Sequence, residues 1–215
     1  MVKEKFNSYD RRNTRAVKIK QAAYDLFNEL PFADITMTMI AERAHVAKGT
    51  IFNYFRSKED IFMAIILSGY LNYCEQMEAS LMQTALADKA AVKQFFVEQT
   101  KIMAEQYATI ILFNSLRRFS LEFHGDREQT EHGRIKIYEI HQRIWALINA
   151  QIPEISIESI GHALVVQSAI FNGLMNLGNM EKFNGVAFST AMPDFKIDTY
   201  AETNHIFELY LDDIL

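Results

Sequence analysis

The chain has 215 residues, 49% of them hydrophobic, with 3 prolines, 8 glycines and a net charge of −5. That composition is too apolar for a disordered chain and too poor in turn formers for an all-β fold. No apolar run is expected to reach the ~18 residues of a membrane span, residues 1–12 lack the apolar core of a secretory signal, and the single cysteine, Cys74, excludes an intramolecular disulfide and suits a reducing cytoplasm.

The first expected helix covers residues 12–29, where Ile19, Ala22, Ala23, Leu26, Phe27 and Leu30 repeat at helical spacing. Pro31 should end it and push Leu30 toward extended geometry. A short second helix is expected over 37–44 with Thr36 as its N-cap, and a third over 47–55 after a break of a few residues. Ser57 should cap a fourth, which carries Glu59 and Asp60 in its first turn, where acids suit the helix dipole. Longer helices are then expected over 58–82, 88–107, 109–122, 126–150, 156–176 and 199–213. The stretch 178–194, with Gly185 and Pro193, is expected to be a loop.

The charge is unevenly distributed. Residues 1–60 hold eleven Lys/Arg against eight Asp/Glu, a net of +3, while the remaining 155 residues carry −8. A basic head on an acidic body lets one end approach phosphates while the other keeps the protein dissolved. Three short helices with a tight second junction are also the parts of a helix-turn-helix.

The run ITMTMIAERAHVAKGTIFNYFRSKE, Ile35 to Glu59, resembles the DNA-binding segment of the TetR family, and AAYDLF, Ala22 to Phe27, resembles that family's first helix. The resemblance spans about 50 of the 215 residues. It implies an all-α fold: a three-helix helix-turn-helix head over 1–57 and a larger helical effector-binding and dimerisation body over 58–215. It further implies a sequence-specific transcriptional regulator, commonly a repressor released from its operator by a small-molecule effector. The expected partners are a near-palindromic DNA duplex, a second copy of the chain and that effector, with no membrane, cofactor or metal.

The residues support this independently. Ile40, Ala41, Val46, Ile51 and Phe55 can form the small core that locks the second helix to the third. Lys48, Gly49, Thr50, Phe52, Asn53 and Tyr54 are then the candidates for the major groove, since Asn reads adenine, Lys reads guanine and Thr contacts thymine. Thr36, Thr38 and Lys58 stand at helix starts, where phosphates are usually clamped. Lys3, Lys5, Arg11, Arg12 and Arg15 form a basic N-terminal segment, either a solvated tail or an arm on the DNA. Three residues depart from the family pattern: His45 replaces glycine in the turn, Ala47 replaces a hydroxyl cap, and Phe52 replaces a tyrosine.

In the body, the helix over 156–176 is apolar around most of its circumference, and the last helix carries the stripe Phe207, Tyr210, Leu211 and Ile214. These two are candidates for a dimer interface, with simple core packing as the alternative. Met103, Tyr107, Phe113, Phe119, Tyr138, Trp145 and Phe171 are candidates for an apolar effector pocket, the alternative again being core. Arg117, Arg118, His141 and His162 are the cations available to an acidic ligand. No CxxC, HExxH, GxSxG or glycine-rich phosphate loop occurs; Glu122, His124 and Asp126 cluster at a turn without metal-ligand spacing. A helical protein-binding adaptor and an all-α enzyme are the other classes; steeply salt-dependent duplex binding excludes the first and a tightly bound cofactor would mark the second.

Overall fold

A computed structural model describes residues 13–116, 121, 125–178 and 197–215, all of its regular structure helical. Among these residues the helices are α1 (Thr14–Glu29), α2 (Met37–Arg43), α3 (Lys48–Ile51), α4 (Lys58–Gln83), α5 (Lys89–Gln106), α6 (Ala108–Leu116), α7 (Arg127–Gln151), α8 (Ile157–Gly178) and α9 (Thr199–Ile214). The expected loop over 178–194 lies almost wholly outside the described residues, as do Phe119, Arg117, Arg118, Glu122, His124 and the basic residues before Asn13.

The described residues divide into two compact units. One holds 13–68, 116, 121 and 125–134; the other holds 69–115, 135–178 and 197–215. In the first, Asn13 caps α1 by accepting from the Ala16 N–H at 3.3 Å, and Leu30 leaves the helix at φ −134° and ψ 151°, as the following proline dictates. The α1 stripe Ile19, Ala22, Ala23, Leu26 and Phe27 is buried. Phe62 of α4 meets Phe27 and Phe32 edge-on, with centroids 6.0 and 5.0 Å apart, a geometry that favours the aromatic quadrupoles. Phe32 belongs to a single 3-10 turn, Phe32–Asp34, not foreseen in the sequence.

The same unit contains the start of α7. Asp126 caps it by accepting from the Gln129 N–H at 3.2 Å. The buried Asp60 carboxylate accepts from the backbone N–H of Asp126 and, at 2.9 Å, from that of Arg56. Burial pushes the Asp60 carboxyl above its ordinary value, opposed by these two hydrogen bonds. Asp126 therefore acts within a cap, with Arg56 Nε 3.8 Å from its outer oxygen.

The second unit is built around Tyr73, Met77, Leu81, Phe96, Ile144, Ile148, Leu164, Phe171, Phe207 and Leu211. Helix α9 packs on α8 and α5, and its stripe of Phe207, Tyr210, Leu211 and Ile214 faces this core, so those residues are interior packing in their own unit. The apolar residues left outside on the same two helices are others: Val165 and Leu209 are 59% and 58% exposed, and Ile206 is 40% exposed. Helix α8 also departs from expectation in hydropathy. It is long and apolar enough to cross a membrane by length and composition, because Gln167, Ser168 and Asn172 interrupt its apolar run without adding charge. It packs on α9 and buries Ile160, Ala163, Leu164 and Phe171 on that side.

Candidate nucleic-acid interface and body cluster

The head is set by two short helices and the turn between them. Thr36 starts α2 by accepting from the Met39 N–H at 3.2 Å. At the other end the chain reverses through His45, whose φ of 55° is the one positive value outside glycine among the described residues. The Val46 N–H donates to Ala41 O at 3.0 Å and the His45 N–H to Glu42 O at 3.1 Å. This pair of bonds is a Schellman motif, in which glycine is favoured for want of a Cβ. Ala47 then precedes α3 with no side-chain cap, as its methyl requires.

Helix α3 is shorter than the expected 47–55. Only Lys48–Ile51 is α-helical, after which Asn53 N–H to Thr50 O and Tyr54 N–H to Ile51 O, 3.1 and 3.0 Å, tighten the chain into i→i+3 turns. Rotation is nonetheless fixed by burial. Ile40, Ala41, Ile51 and Phe55 are buried and Val46 half-buried, while Lys48, Gly49, Phe52 and Asn53 are exposed and Thr50 and Tyr54 half-exposed. A Cβ added to Gly49 would meet nothing within 4 Å. The backbone there is bare and open to close approach. Phe52 presents 48% of its surface to solvent, an arrangement that suits apolar contact with thymine methyls or sugars.

Thr36 and Thr38 lie exposed and half-exposed at the start of α2, where a phosphate would meet them. Lys58 does not. Its ammonium turns inward and donates to the carbonyls of Phe32, Ala33 and Ile35 at 2.8, 3.3 and 3.0 Å, above the Phe32 ring. An ammonium has three N–H donors, and all three have acceptors here, so this geometry serves the 3-10 turn. Burial holds the Lys58 ammonium below its ordinary value. Arg43 is likewise engaged, bidentate on Glu29 at 2.8 and 2.6 Å.

In the body unit, Met103, Tyr107, Phe113 and Phe171 are buried, Trp145 is half-buried and Tyr138 is 54% exposed. Tyr138 meets Trp145 edge-on at 5.7 Å. Tyr107 is joined instead to α4, with its ring 5.4 Å from Tyr73 and its hydroxyl accepting from Asn72 Nδ2 at 3.0 Å. His141 is no cation for an acidic ligand. Burial holds its imidazole down at about 4, and Nε2 lies 3.4 Å from Cys74 Sγ. Burial also raises the Cys74 thiol far above its ordinary value. Tyr70, missed in the sequence reading, lies edge-on to His141 at 5.7 Å; its place at i−4 from Cys74 was the available signal. His162 Nδ1 is 2.7 Å from the Tyr210 hydroxyl.

The sequence pattern of bacterial regulatory proteins of the tetR family matches residues 19–65, which run from within α1 through α2 and α3 into α4. The chain's head is a TetR-family DNA-binding segment. With that head it is a DNA-binding regulator of transcription rather than an enzyme. It is 24% identical over 204 residues to the fatty acid metabolism regulator protein of Bacillus subtilis (strain 168), covering 94% of this chain and 97% of that one. Its fold matches that of the transcriptional regulator FadR from Bacillus subtilis in complex with stearoyl-CoA, with 21% identity, TM-score 0.55 and coverage of 93% and 99%. A TetR transcriptional regulator from Rhodococcus sp. RHA1 shares the fold at 18% identity, TM-score 0.54 and coverage of 96% and 98%.

Proposed function

We propose that this chain, with its TetR-family head, is a cytoplasmic homodimeric repressor, released from a near-palindromic operator by a long-chain acyl thioester. The observation that carries the DNA half is the division of α3 and its turn: Ile51 and Phe55 are sealed in the core while Lys48, Gly49, Phe52 and Asn53 stand on one open surface. Lys48 and Asn53 supply groove hydrogen bonds, Phe52 and Thr50 apolar contacts, and Thr36 and Thr38 phosphate contacts. The outward Val165, Ile206 and Leu209 on α8 and α9 are the apolar residues that a second copy would cover, and two-fold pairing would address major grooves ~34–36 Å apart.

The acyl effector is supported by the relative in Bacillus subtilis, a regulator of fatty acid metabolism, and by FadR, whose structure holds stearoyl-CoA. The body's apolar and aromatic interior, which includes Met103, Tyr107 and Phe171, suits an alkyl chain. Release requires the effector to bind the DNA-incompetent state more tightly, and a coupling of ~1–3 kcal/mol is enough.

A gel-shift titration tests this, with DNA from upstream of the chain's own gene as probe, unrelated duplex as competitor, several salt concentrations, and stearoyl-CoA added last. The expected result is competitor-resistant, salt-sensitive binding that stearoyl-CoA reverses. Binding unaffected by stearoyl-CoA would overturn the effector assignment, and binding to neither this DNA nor any duplex selected from a random pool would overturn the DNA assignment.

A further inference from the structure

Within the body unit the indole of Trp145 carries an unmet donor. Its Nε1 is buried and has no hydrogen-bond partner among the described residues, although buried N–H groups in folded proteins are nearly always paired. The ring around that donor is held firmly. Against α8 the indole lies so close to Gly161 that an added Cβ would stand 3.0 and 3.1 Å from its Cζ2 and Cε2 atoms, so any larger residue there would press on the ring. On its own helix, α7, Trp145 is flanked by Tyr138, edge-on at 5.7 Å, and by His141, tilted at 6.0 Å. Tyr70 closes the far side of His141. The four side chains form an aromatic row running from the exposed Tyr138 to the half-buried Tyr70.

We infer that this row is the seat of the effector's polar group, and that the group is an uncharged hydrogen-bond acceptor (a thioester, ester or amide carbonyl) which receives the indole N–H of Trp145. The inference rests on the acyl-ligand reading above and narrows it. An indole donates one hydrogen bond and accepts none, so its natural partner is a carbonyl oxygen. A carboxylate needs a countercharge when buried, and the row supplies none: the imidazole of His141 is neutral by virtue of its burial. The charged residues on the adjoining turns are Glu75, Glu78, Glu139 and Glu158 against Arg134, Lys136 and Arg143, and the guanidinium of Arg143 is held on Glu78 at 2.6 and 3.1 Å. This surround is close to balanced and the row itself holds no countercharge for a buried fatty-acid carboxylate, whereas a neutral carbonyl needs none.

Trp145 is the chain's one tryptophan, so its fluorescence reports on this ring alone. The full-length protein is titrated with dodecanoyl-CoA, dodecanamide and dodecanoate, following tryptophan emission and, in parallel, calorimetric heat. The amide and the thioester should each saturate a change in emission and bind at least about ten-fold more tightly than dodecanoate, a difference of one charge-neutral hydrogen bond or more. Trp145→Phe, which keeps a ring against Gly161 and deletes the N–H, should weaken dodecanamide about ten-fold by calorimetry. Equal affinity for the acid and the amide, or unchanged amide binding by Trp145→Phe, overturns the inference. If that variant does not fold, the comparison of the three probes on the unaltered protein decides. Operator binding is measured separately without ligand, so its failure sinks the DNA assignment alone, while probes that show no preference sink only the seat at Trp145.

Discussion

The Lys58 ammonium stands 4.4 Å from the centroid of the Phe32 ring and donates at 2.8 Å to the carbonyl of the same residue. A side chain placed by its sequence context at a phosphate instead clamps the 3-10 turn that delivers the chain into α2. Lys58→Met should therefore cost about 1–2 kcal/mol of stability, since charge-assisted bonds to partly buried carbonyls are lost. The salt dependence of operator binding should not change. Lys48→Ala should do the opposite, reducing the salt slope by about one unit with little effect on unfolding. Denaturant unfolding beside gel shifts at several salt concentrations separates the two.

Asn53 and Ile51 test the rotation of α3 and its following turn. Ile51 is fully buried and Asn53 exposed. Asn53→Ala should weaken specific binding by about 1–3 kcal/mol while leaving the melting curve in place. Ile51→Ala should lose about 2–5 kcal/mol of folding stability. Exchanged results would mean that the opposite face reads the DNA.

His45 holds a left-handed conformation that an L side chain enters at a cost. His45→Gly relieves it without touching either Schellman hydrogen bond, because both involve backbone atoms. The glycine variant should be as stable as the parent or up to about 1 kcal/mol more stable, the relief of strain outweighing the flexibility gained when unfolded. A clear loss of stability on thermal unfolding would show that the imidazole itself holds the turn.

His141 gives the body a pH signature. Its imidazole titrates near 4 when folded and near 6.5 when free, so between these values the unfolded chain binds the extra proton. Unfolding free energy should rise with pH through this window, by on the order of 3 kcal/mol, and be lost as the medium is acidified. In His141→Gln this rise should flatten. A matching check is the neighbouring thiol: Cys74, buried and held protonated, should resist alkylation until the protein is denatured.

Much of the head is written in local sequence. The α1 stripe, the stop at Pro31, the Thr36 cap, the left-handed His45 and the uncapped Ala47 all depend on residues within a few positions of one another, and each stands in the structure as the sequence implied. The long helices begin and end within about three residues of expectation where they are described, because their caps are equally local. What escaped depends on distance along the chain. Asp60 meets Asp126 across 66 positions, and Cys74 meets His141 across 67. The inward turn of Lys58 toward Phe32, 26 residues away, has no periodic signal either. The shortness of α3 was missed for a different reason: Ile51 and Phe55 stand at helical spacing and are both buried, and the i→i+3 bonds of Asn53 and Tyr54 distinguish their turns from a continuing helix.

The one-turn length of α3 also limits how much information a head can carry. A single reading helix addresses about three to four base pairs, and a word of four recurs by chance about once in 250 positions, against roughly a million or more competing sites in a genome. One head alone is an ambiguous address. Under the proposed pairing, the choice of gene lies in the conjunction of two such words at a fixed interval, so a substitution that alters the interval can redirect the regulator to other promoters while every base-reading side chain stays the same.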